Sequence, residues 1–89
     1  MLTWTQSYTS QVGQQINLFI TLESAGVYDG DLFVSCPNPC TFLLSDQPSG
    51  ELLIGYSYYI DEGQEEHDIT VSLLNTSSVA IKGVVISTT

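Results

Sequence analysis

Few side chains in this chain are suited to catalysis. There is one imidazole, His67, one ammonium, Lys82, no Arg, and two thiols, Cys36 and Cys40, against ten carboxylates, giving a net charge of −9 in 89 residues. A nucleophilic Ser, Thr or Cys needs a base beside it. His67 is the only imidazole that could serve, and its spacing pairs it with neither thiol; it falls at a strand start, where a partly exposed histidine is ordinary. Paired carboxylates could serve glycoside hydrolysis. Asp29 with Asp31, and Asp61, Glu62, Glu65, Glu66 and Asp68, all lie in or next to turns, where solvated acids are the rule. The 61–68 run and Asp29-Gly30-Asp31 also offer oxygen ligands to a hard cation. Neither has the spacing of a defined calcium loop, and a solvated charge run that keeps the domain soluble accounts for both. The sequence therefore predicts no enzyme, no cofactor and no metal site.

Cys36-Pro37-Asn38-Pro39-Cys40 supplies two thiols within one turn. A zinc site needs about four ligands. The leading readings are a reduced, proline-rich turn and a local disulfide between Cys36 and Cys40, with metal binding or redox catalysis behind them. Asn75-Thr76-Ser77 fits a glycosylation pattern and reads here as a turn.

The charge balance also bears on partners. Binding to nucleic acid depends on Lys and Arg displacing counterions, and one Lys cannot supply that; anionic membranes are disfavoured for the same reason. A basic protein surface, a neutral polymer such as a glycan, or a cation remains compatible. No stretch reads as a transmembrane span or a signal peptide.

The elements that position these groups are strands. Ile16, Leu18, Ile20 and Leu22 alternate with Asn17, Phe19, Thr21 and Glu23; Ile69, Val71 and Leu73 alternate with Asp68, Thr70 and Ser72; Ile54, Tyr56, Tyr58 and Ile60 share one face. Period two is the strand signature, and no segment keeps a helical stripe. Turn signals at Gln11-Val12-Gly13, Ser24-Ala25-Gly26, Asp29-Gly30, Pro37-Asn38-Pro39, Gln47-Pro48-Ser49-Gly50, Asp61-Glu62-Gly63 and Asn75 to Ser78 divide the chain. About seven strands result, near 3–9, 14–23, 31–36, 40–45, 51–60, 66–74 and 79–88. That count predicts a single all-β domain over 1–89, an Ig-like β-sandwich of antiparallel strands, with a small β-barrel or jelly roll as the alternative. Residues 12–35 and 62–87 echo one another: Gly-Gln, an alternating strand, a small polar turn, then a second strand ending in Ser.

Gly63-Gln64, Ile69 to Leu74, Asn75-Thr76-Ser77 and Val84-Val85-Ile86 together resemble the Ig-like sandwich modules that recur in bacterial surface proteins and phage virion proteins. The resemblance covers about half the chain. It departs from the antibody type, because both Cys lie in one turn and Trp4 is the only Trp. A free-standing module of this length with its own Met1 looks most like a phage capsid decoration or cement protein. That resemblance implies a virion location after synthesis in the host cytoplasm, a homo-oligomer (trimer or dimer), and a capsid protein as partner.

Nine aromatic rings exceed what so small a core must hold. Exposed Trp, Tyr and Phe mark interfaces, so Trp4, Phe19, Phe33, Tyr58 and Tyr59 are the expected contact set; a core covering both faces is the competing account. The alternative function is an adhesive or glycan-binding module of a tail fibre or cell surface, with Trp4, Tyr28, Asp29 and Asp31 at its site.

Overall fold

The computed structural model describes residues 2–48, 52–75 and 80–89. Seven antiparallel strands, β1 (Leu2–Thr9), β2 (Gln15–Ser24), β3 (Tyr28–Ser35), β4 (Cys40–Gln47), β5 (Leu52–Tyr59), β6 (Glu66–Asn75) and β7 (Ile81–Thr88), form two sheets. The orders are β1-β6-β3-β4 and β5-β2-β7, and the described residues contain no helix. The sheets pack face to face as a β-sandwich. Every residue predicted inward on β2 and β6 is in the core: Ile16, Leu18, Ile20 and Leu22 meet Ile69, Val71 and Leu73, with Tyr28, Leu32, Val34, Leu44, Tyr58 and Ile60 filling the rest. Alternation places these side chains on one face of each pleat, and burying that face is the main favourable term in folding.

The strand order has a two-fold logic. Exchanging β1, β2 and β3 for β5, β6 and β7 turns β1-β6-β3 into β5-β2-β7, leaving β4 as the one added strand. Two of the five chain crossings between sheets, β1 to β2 and β5 to β6, use the same turn. Gly13 has φ +82° and Gly63 φ +89°, the positive value that a type II turn requires at its third residue. Gln14 N–H donates to the Gln11 carbonyl at 3.1 Å and Gln64 N–H to the Asp61 carbonyl at 3.0 Å. Each Gln side chain then accepts from the first residue's N–H, at 3.0 Å for Gln11 and 3.1 Å for Asp61. The Gly-Gln echo is therefore a turn motif: Gly supplies the dihedral and Gln closes the ring. The plan keeps the central β2–β5 and β3–β6 pairs of an antibody constant domain. It differs at the ends, since β1 pairs with β6 and β7 with β2, where the antibody first strand pairs with the second and the last with the sixth.

One boundary differs from the sequence expectation. Asp29-Gly30 is not a turn but the interior of β3. Gly30 has φ +152°, a region costly for any residue with a Cβ. A Cβ there would strike the Leu74 carbonyl oxygen and stand 2.6 Å from the Tyr28 hydroxyl. The bare backbone lets the Tyr28 hydroxyl donate to the Leu74 carbonyl at 2.9 Å beneath it. The register shift between Tyr28 and Gly30 is closed by Asp29, whose carboxylate accepts from the Asp46 N–H at 2.6 Å. The expected turns at Ser49-Gly50 and Thr76 to Ser78, with the glycosylation pattern, lie outside the described residues.

Candidate interaction surfaces

Strand parity sorts the expected contact residues into three places. Phe33 points outward from the four-stranded sheet, flanked by Thr41 on β4 and Ser72 on β6. Phe19 points outward from the three-stranded sheet between Gly55 and Ser87, so small neighbours leave its ring half open. Tyr59, on the same outward face, is 60% exposed. Trp4 and Tyr58 belong elsewhere. Trp4 pairs with Val71, faces inward and packs half-buried against the core at the β1 edge. Tyr58 is a correction to the contact set: it sits opposite Ile16, is only 2% exposed and offers a partner no surface. Tyr28 is likewise fully buried, which removes it from the candidate glycan site.

Among the described residues, three further apolar side chains, not singled out from sequence, lie open on the outward faces. Leu43 is 83% exposed and Leu74 41% exposed on the four-stranded sheet, and Val85 lies open on the three-stranded one. Leu43 and Leu74 flank Asp31 directly in the register. Their signal was present in the sequence, as apolar residues out of phase with Leu44 and Leu73. Along the β1–β6 part of the same face Thr3 meets Ser72 at 3.4 Å and Thr5 meets Thr70 at 3.1 Å, a polar strip beside the apolar one.

A shallow depression of about 360 Å3 at the end of β1 and β6 is lined by Ser7, Tyr8, Thr9, Glu66, His67 and Asp68. It gathers the residue types of a Ser-His-Asp triad, but not its connections. The Ser7 hydroxyl donates to Asp68 at 2.6 Å. His67 and Asp68 are consecutive in a strand and point to opposite faces. The His67 Nδ1 lies 3.2 Å from the Gln64 carbonyl and Nε2 lies 3.1 Å from the Tyr58 hydroxyl. A carbonyl only accepts, so Nδ1 carries a hydrogen and donates to Gln64, while Nε2 pairs with the Tyr58 hydroxyl. Tyr8 stacks on the ring, centroids 6.1 Å apart. Both ring nitrogens thus have structural partners. Burial, with smaller contributions from Cys36 and Tyr8, pushes the Tyr58 hydroxyl up to about 12.

Cys36 and Cys40 are both free thiols in this structure. Cys36 Sγ donates to the Asn38 carbonyl at 3.1 Å, and Tyr56 Oη donates to the same oxygen at 3.0 Å. Burial raises both thiol pKa values, the opposite of what an activated nucleophile needs. Among the described residues no group of three or more His, Cys, Asp and Glu is placed to hold a metal.

Compared with known protein families, curated proteins and solved structures, the chain matches none.

Proposed function

We propose that this protein is a non-enzymatic structural module of a virion, a decoration or cement protein that stabilises a phage capsid by covering surface. One observation carries the reading: bulky apolar side chains stand open on both outward faces of one sandwich. Leu43 and Leu74 are exposed on one side, beside a half-buried Phe33; Tyr59 and Val85 are exposed on the other, beside a half-buried Phe19. A slab adhesive on two opposed sides can bridge two other surfaces. A standard interface takes about 800 Å2 from each partner, roughly a sixth of the 4957 Å2 that this chain exposes, so both faces can be used at once. Copies of the chain would meet through the Phe19 face as a closed dimer or trimer, and the capsid protein would take the other.

The experiment is co-sedimentation with expanded, undecorated phage capsids, beside light scattering of the free protein. Saturable binding that vanishes on already decorated capsids supports the proposal. Retention on a polysaccharide column without capsid binding would favour the adhesive alternative, which now lacks the Tyr28 ring. A monomer that does neither would refute both.

A further inference from the structure

The two outward faces differ in charge as well as in position. Asp29, Asp31, Glu66 and Asp68 all take outward positions on the four-stranded sheet, and its four strands contain no Lys or Arg. The three-stranded sheet carries Glu23 and the chain's only Lys, Lys82. On the first face, Leu43, Asp31 and Leu74 form one row across β4, β3 and β6. Direct cross-strand neighbours stand about 5 Å apart. Phe33 follows in the next row, between Thr41 and Ser72. A carboxylate set between two open leucines is complementary to one kind of side chain: a cation on an apolar stem.

We propose that this face docks a basic segment of another protein, with an Arg or Lys laid across Leu43 and Leu74, its charged end at Asp31, and an apolar neighbour on Phe33. The inference rests on the cement reading and specifies the partner's chemistry. Arg fits best, since its planar fork pairs with a carboxylate through two hydrogen bonds. A second copy of this chain does not fit, because it would bring another net charge of −9 to an acidic face, and like charges across an interface disfavour that partner.

The test uses the intact protein, labelled with 15N, and two probes: a peptide of alternating Leu and Arg, and its counterpart of alternating Leu and Glu. The Arg peptide is expected to shift resonances of β3, β4 and β6 only, and the Glu peptide to shift none. Asp31→Asn should weaken the Arg peptide about tenfold, the scale of losing one well-placed charge contact. Asp61→Asn removes the same charge from an exposed turn and should change affinity by less than about twofold. Equal losses in the two variants would reduce the binding to net charge and overturn the proposal, as would shifts centred on β2 and β7, or no Arg-peptide binding. A Leu43→Ser variant that still joins capsids when Phe19→Ser does not would overturn the face assignment and leave the cement reading standing.

Discussion

Leu43→Ser separates what the chain needs for itself from what it offers a partner. Burying a leucine side chain stabilises by about 1.5–3 kcal/mol. Leu43 keeps 83% of its surface open in the folded chain, so about 1.2–2.5 kcal/mol of that is still available to a covering protein. The loss on substitution therefore falls on binding, at about 8- to 70-fold in affinity. Folding stability should move by no more than about 0.5 kcal/mol, as for other surface positions. Leu32, fully buried one strand away, is the internal comparison: Leu32→Ala should cost about 2–5 kcal/mol of stability. Urea unfolding of both variants gives the first quantity, and titration onto capsids or the Leu-Arg peptide gives the second. If Leu43→Ser destabilises as much as Leu32→Ala, the residue belongs to the chain's own packing. If it leaves both stability and affinity unchanged, the face is idle. Either result would rule out a partner-binding role for Leu43.

Other outcomes follow from the same geometry. Gly13→Ala and Gly63→Ala should cost about 1–2 kcal/mol each and by similar amounts, since the two turns share a dihedral and an added Cβ meets nothing. Gly30→Ala should cost more, about 4 kcal/mol, because the Leu74 backbone blocks the Cβ as well; thermal denaturation of the three variants ranks them. Tyr58 links stability to alkaline pH. Its folded pKa is raised to about 12 from about 10 unfolded, so its contribution is complete below about pH 10 and is lost as pH rises toward about 12, to a total of about 2–3 kcal/mol. Burial raises Tyr8 and Tyr28 in the same direction; a Tyr58→Phe variant should show a shallower loss in urea titrations across that range. Cys36 and Cys40 should alkylate slowly at neutral pH in the folded protein and rapidly in denaturant, as read by intact mass.

Much of the fold was legible because alternation reports a face directly. The inward sets of β2 and β6 were readable residue by residue, and the outward place of Phe19, Phe33 and Tyr59 followed from the same parity. Tyr58 was legible too: it is in phase with Tyr56 and Ile60, and neighbours in a strand cannot both face out, so its inclusion beside Tyr59 set ring type above period. The start of β3 was not legible, because Asp-Gly is a strong turn signal and only the approach of the Leu74 backbone explains a glycine inside a strand. Nor could alternation tell which strands pair. It assigns a face, not a neighbour, so the β1–β6 and β2–β7 pairings and the Leu43-Asp31-Leu74 row appear only once three strands are in register.

Leu43 and Leu74 are open in the free chain, and under the proposed function a partner covers them. Hydroxyl-radical footprinting of the chain, alone and bound to expanded capsids, measures that directly. Leu43 and Leu74 should oxidise readily in the free protein and be strongly protected on the particle, with Leu18 and Leu32 protected in both. Outward residues already protected in an isolated monomer, or still oxidised on the particle, would contradict it.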